Sequence, residues 1–137
     1  MHHPWGMLRR LSHWTFQFSP LPSGTFGLTD FRTRTITITT GLDQAQRRST
    51  LAHELEHVAR GPGGHPVREE LACEQAAARK LIGIRELGEA LAWSHGLDEA
   101  ADELWVDREL LDVRLTHLHP SERAYLKRRL GDGPAVA

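Results

Sequence analysis

The sequence feature that most constrains the fold is a change of hydrophobic period at Gly41. From Thr33 to Thr40 the residues alternate, with Ile36 and Ile38 on one face and threonines on the other. Alternation of β-branched residues is typical of a half-buried strand. From residue 44 to 60 the period becomes helical. The apolar positions of this predicted helix are Leu51, Leu55 and Val58.

Strand-like sequence precedes this change of period, and helical sequence follows it. Trp14 to Phe18 alternates aromatic and polar residues, and a turn rich in Pro, Ser and Gly separates it from a short strand at 25–28. A second long helix is predicted from about Val67 to about Ile82. Shorter amphipathic helices are predicted at 84–94, 97–104, 107–118 and 121–130. Segregation of strands from helices along the chain predicts an α+β fold.

Composition excludes several kinds of protein. The chain has 137 residues and a formal net charge of -1, so no global attraction to nucleic acid or an anionic membrane is expected. Its single cysteine, Cys73, rules out an intramolecular disulfide and a cysteine-rich zinc site. We find neither a signal peptide nor an apolar stretch long enough to span a membrane, and predict a cytoplasmic location.

A His-Glu-x-x-His motif lies within the first predicted long helix. His53 and His57 are four residues apart, so both imidazoles can bind one ion at about 2.0–2.1 Å. Glu54 can reach a water on that ion without binding the ion itself. Zinc hydrolases use this arrangement to lower the pKa of the water towards about 7 and to remove its proton. We predict His53 and His57 as metal ligands and Glu54 as the catalytic base.

Catalytic zinc needs a third protein ligand, and the next predicted helix offers Glu69, Glu70 and Glu74. Glu70 and Glu74 are four residues apart and share a face. We favour Glu70 as the ligand and Glu74 as a hydrogen-bond partner of a ligating histidine, with Glu74 as the alternative ligand. His65 is a rival, although it follows the motif by eight residues rather than the six of the metzincins. His and carboxylate ligands suit zinc, and other divalent ions are not excluded.

The motif alone supports a metal site only weakly. With nine histidines in a chain of this length, shuffling the residues would produce a His-Glu-x-x-His match roughly 0.05 times per chain. Its context is more specific. The stretches Arg47–His57 and Glu69–Ile82 together resemble the ImmA/IrrE family of metallopeptidases, which is known from phages and other mobile elements. The second stretch is similar to the family's glutamate helix with its alanine-rich end.

This resemblance implies a zincin-like metallopeptidase core at 1–83, built from a small N-terminal β-sheet, the motif helix and the glutamate helix. An all-helical C-terminal subdomain at 84–131 and a flexible tail at 132–137 would follow. The resemblance also implies a cytoplasmic zinc endopeptidase that cleaves a repressor-type transcriptional regulator. The strand at Thr33–Thr40 is expected to border the cleft and to bind the substrate as an added strand.

The alternative function is a non-proteolytic regulator that binds a repressor or DNA and keeps the metal as a structural or sensing element. Residues 97–118 have the rhythm of a helix-turn-helix, with Arg108 and Arg114 as nearby bases. Interspersed aspartates and glutamates weaken a DNA-reading surface. We therefore favour a helical module for packing or for holding a protein substrate. Cys73 is expected to be a buried structural thiol.

Overall fold

The computed structural model describes residues 2–131, and the tail predicted at 132–137 lies outside them. The strands are β1 (Thr15–Phe18), β2 (Gly27–Asp30) and β3 (Thr35–Ile38). The helices are α1 (Pro4–Arg9), α2 (Gln44–Arg60), α3 (Pro66–Leu81), α4 (Ile84–Trp93), α5 (Leu97–Glu103), α6 (Arg108–Thr116) and α7 (Pro120–Leu130). A small sheet followed by helices confirms the predicted α+β fold with a helical C-terminal part.

The strands form a three-stranded sheet in the order β1-β3-β2. β3 pairs in parallel with β1 and antiparallel with β2. Ile36 and Ile38, which belong to β3, are fully buried and pack against Leu51 of α2, as their alternation predicted. The expectation that β3 borders the cleft with a free edge is wrong, because β3 is the central strand and both of its edges are paired. β2 is the edge strand that packs against α2.

Helix α1 was not expected, since the first forty residues were predicted to be strand-rich. Pro4 occupies the first helical turn, where its fixed φ and missing N–H cost little. Pro4 is buried, and α1 packs against α2. The helix has only six residues and no side-chain cap, so tertiary packing stabilises it rather than a local sequence signal.

Helix α2 carries the motif and has well-defined ends. The Asp43 carboxylate accepts a hydrogen bond from the Gln46 backbone N–H at 2.7 Å, and the Gln46 side chain accepts one from Asp43 N–H at 3.0 Å. This capping box satisfies two otherwise unpaired donors. Gly61 ends the helix with a φ of 81° that favours glycine. The predicted apolar face of α2 packs against the sheet through Leu51, Leu55 and Val58.

A second hydrophobic core joins α2 and α3 to the C-terminal helices. Ala52 of α2 and Ala77 of α3 belong to it, together with apolar residues of α4 to α7. The core therefore crosses residue 83, where the sequence suggested a boundary between core and subdomain; that division stays a prediction. Within the part of the chain that the structure describes, no helix has both the length and the apolar character needed to cross a membrane.

Candidate metal centre

Two helices bring the predicted ligands together. His53 and His57 lie on one face of α2, and their Nε2 atoms are 3.2 Å apart. Glu70 reaches them from α3, with Oε2 at 2.9 Å from His53 Nε2 and Oε1 at 2.7 Å from His57 Nε2. His53 and His57 are largely buried, whereas the Glu70 side chain is 62% exposed. The site is thus open to solvent on the Glu70 side.

The spacing of these three groups fits a tetrahedral ion. Ligand atoms at about 2.0–2.1 Å from zinc lie about 3.3 Å from one another. The distances among the two imidazoles and the carboxylate, 2.7 to 3.2 Å, are close to that value. Neutral imidazole nitrogens and a carboxylate are also the donors that zinc and similar divalent ions bind. His53, His57 and Glu70 could therefore hold a divalent metal ion.

Glu74 lies behind the first histidine. Its Oε2 is 3.1 Å from His53 Nδ1, on the side of the ring that faces away from Glu70. The distance suits a hydrogen bond, but the angles are poor, and His53 Nδ1 has no well-formed hydrogen bond. The Glu74 side chain is 39% exposed. Glu74 therefore lies within hydrogen-bonding distance of His53, and its role as the support of a ligating histidine stays a prediction.

Carboxylates dominate the electrostatics of the site. Burial alone would lower the pKa of His53, but the Glu74 contact and the charges of Glu54, Glu74 and Glu70 outweigh it and raise this pKa to about 9. Without a metal ion, the carboxylates hold a proton on the imidazole. The same negative charges favour a divalent cation, which would displace that proton.

Glu54 is the most enclosed carboxylate of the site, with 6% of its surface exposed. Burial raises its pKa, while the charges of His53 and His57 and a hydrogen bond from Thr29 act in the opposite direction. The Thr29 hydroxyl donates to Glu54 Oε1 at 2.9 Å. Thr29 was not predicted as a site residue. No local pattern marks it, because the contact depends on how β2 packs on α2.

The other candidates from the sequence lie elsewhere. Glu69 forms two hydrogen bonds with Arg60, at 2.7 and 3.0 Å, and does not belong to the His/His/Glu group. His65 is exposed at the N-cap of α3 and is not part of the His/His/Glu group. Cys73 is fully buried, and burial raises the pKa of its thiol to about 12, as expected for a structural thiol. Glu70 is the glutamate of the three that contacts both histidines.

The segment with a helix-turn-helix rhythm forms α5 and α6, joined by a turn at 104–107. Its bases contact protein groups. Arg108 is held at 2.9 Å by both Asp98 and Asp112. Arg114 is buried and paired with Glu122. Arg114 is therefore enclosed, whereas Arg108 is exposed and lies between two carboxylates, which weaken its attraction for a phosphate.

An α+β fold in which two helices present two histidines, a buried glutamate and a further carboxylate to one point is typical of metallopeptidases. The family model of the IrrE N-terminal-like domain (Peptidase_M78) matches residues 13–131. The chain therefore belongs to this peptidase family, which confirms the resemblance seen in the sequence and points to metallopeptidase activity. Neither the curated proteins nor the solved structures include a significant match to this chain.

Proposed function

We propose that the protein is a zinc-dependent endopeptidase that acts in the cytoplasm on a repressor-type transcriptional regulator. The observation that carries the proposal is the convergence of His53 Nε2, His57 Nε2 and the Glu70 carboxylate within hydrogen-bonding distance of one another. Three ligands leave one position of a tetrahedral ion open, as catalytic zinc sites require. Membership of a peptidase family supports the same reaction.

In the proposed reaction, His53, His57 and Glu70 hold the ion and Glu74 orients His53 through Nδ1. When bound, zinc supplies Lewis-acid polarisation of the scissile carbonyl and lowers the pKa of water to about 7. Glu54 accepts a proton from the attacking water and passes it to the leaving amine. Its burial keeps bulk water from competing for the carboxylate.

We further propose that the substrate binds along β2 rather than β3. β2 pairs with β3 on one side, and its other edge faces no strand within residues 2–131. A peptide added there would be held by main-chain hydrogen bonds and would extend the sheet past α2. Thr29 of β2 touches Glu54, so the added strand would run beside the proposed base.

Two assays test the proposed peptidase activity and the proposed substrate independently of each other. The zinc-loaded protein is incubated with a proteome-derived peptide library, and new termini are identified by mass spectrometry. Cleavage that a chelator abolishes and zinc restores would support an endopeptidase. The same assay with the repressor-type protein encoded nearest to this gene tests the substrate. A repressor that is bound but intact, together with an uncut library, would instead favour the non-proteolytic regulator.

The ligand assignment predicts different effects for two adjacent glutamates. Glu70→Gln should weaken zinc binding by more than about 100-fold, beyond the roughly tenfold to 100-fold effect of groups that only support a ligand. Glu69→Gln is the matched control, because Glu69 contacts Arg60 and not the histidines. Competition with a zinc chelator measures both. Equal zinc affinities for the two variants would show that Glu70 is not a ligand.

A further inference from the structure

We propose that Thr29 is a positioning residue for Glu54, the proposed catalytic base. Its hydroxyl holds the carboxylate in one orientation and so aims the oxygen that must accept the proton. This inference rests on the proposed peptidase function and adds to it a residue from outside the His-Glu-x-x-His motif. Thr29 lies on β2, and Glu54 follows it by 25 positions in the chain.

The contact has the distance of an ordinary hydrogen bond. Thr29 Oγ1 lies 2.9 Å from Glu54 Oε1 and 3.3 Å from the Glu54 backbone carbonyl oxygen. A hydroxyl has one proton to donate, and the nearer, charged acceptor is the stronger partner. Because Glu54 is buried, little water is present to replace this donor. The carboxylate is therefore held from the sheet side, by β2.

A neighbouring glycine makes this contact attainable. Gly27 lies two residues before Thr29, on the same face of β2. A Cβ atom at Gly27 would lie 2.7 Å from Thr50 Cγ2 and 2.9 Å from Glu54 Cγ, closer than real Cβ contacts. β2 can thus approach α2 this closely only without a side chain at Gly27. The close approach is what brings the Thr29 hydroxyl within reach of Glu54.

The role of the hydroxyl can be separated from that of the strand. Thr29 pairs with Ile36 of β3 through the backbone, which does not depend on its side chain. Valine has the same shape as threonine and suits a strand equally well. Thr29→Val therefore removes the hydroxyl with little disturbance of the sheet, while Thr29→Ser keeps the hydroxyl.

The test compares these two variants on a library peptide that the wild-type protein cleaves. Thr29→Val should lower kcat by about 10- to 100-fold, because a misplaced base loses part of its contribution. KM and zinc content should stay at wild-type values, and Thr29→Ser should recover most of the rate. Thr15→Val, on the exposed edge strand β1, is the control and should keep full activity.

A second measurement does not depend on activity. The side-chain carboxyl 13C resonance of Glu54, identified by its absence in Glu54→Gln, should shift in Thr29→Val and much less in Thr29→Ser. Wild-type kcat in Thr29→Val, or an unshifted resonance, would overturn the proposal. If the wild-type protein cleaves no peptide, the proposed function fails, and the resonance still reports on whether Thr29 holds Glu54.

Discussion

Glu54→Gln should lower kcat for peptide hydrolysis by about 10²–10⁴-fold, the usual contribution of a general base. Glutamine keeps the shape of the side chain and can still accept the hydrogen bond from Thr29. It cannot accept a proton from water at neutral pH. His53, His57 and Glu70 are unchanged, so zinc content should remain near one ion per chain. The rate is measured per bound zinc, so that loss of metal is not mistaken for loss of the base.

The control for this variant is Glu56→Gln. Glu56 is also buried on α2, but it pairs with Lys80 and does not face the histidines. We expect it to keep kcat per bound zinc and to lose stability, because Lys80 loses its partner. An unchanged rate in Glu54→Gln would exclude Glu54 as the base. Relief of repression by a Glu54→Gln protein that cuts nothing would point to the regulator without proteolysis.

Glu122→Gln should destabilise the protein by about 3 kcal/mol, the lower end of the cost of breaking a buried ion pair. Arg114 is 3% exposed, and its two Nη atoms lie 2.9 and 2.5 Å from the Glu122 carboxylate oxygens. Its Nε donates to the Ile82 carbonyl at 2.8 Å, just after α3. Losing Glu122 leaves the guanidinium charge buried and partly unpaired. Chemical denaturation at pH 7 measures the loss.

The same pair predicts the pH dependence of stability. Its hydrogen bonds with Arg114 lower the pKa of Glu122 to about 2, from an ordinary value of 4.5. The folded state therefore binds the proton less readily than the unfolded state. The stabilisation is fully present above about pH 4.5 and is lost as the pH falls towards 2. Since the side chain is 22% exposed, we expect about 2 kcal/mol from this source.

Glu89→Gln is the control for this pair. Glu89 forms an ion pair with Arg129 at 2.8 Å, but Glu89 is exposed and Arg129 is only half-buried, so loss of this pair should change stability little. Between pH 5 and 2.5, Glu122→Gln should lose less stability than wild type, whereas Glu89→Gln should follow wild type closely. Parallel acid-unfolding curves for wild type and Glu122→Gln would show that the pair does not set this dependence.

Local patterns predicted the fold wherever a periodic segment was long. α2 and α3 were predicted to within about two residues, because caps and a Gly/Pro-rich loop mark their ends. α1 is too short to show a period and was missed. The order of the strands was also not predictable, since pairing of β3 with both β1 and β2 depends on long-range contacts rather than on composition.

In the candidate site, too, some residues were predictable from the sequence and one was not. The spacing of His53 and His57 on a helix, and of Glu70 and Glu74 on the next, was enough to predict which side chains would meet. Among the three glutamates the sequence favoured Glu70, and the packing of α3 on α2 places Glu70 against both histidines. Thr29 was beyond sequence reasoning, because its role depends on the close approach of a strand distant in the chain.

The helical hairpin of α2 and α3 also bears on folding. Its candidate metal ligands are close in sequence, and the connection at 61–65 is short. Closing a loop of this length costs little chain entropy compared with joining the strands of the sheet to distant helices. Contacts of low sequence separation tend to form rapidly. The pair of helices that would hold the ion can thus assemble by local contacts, before the sheet closes over Glu54.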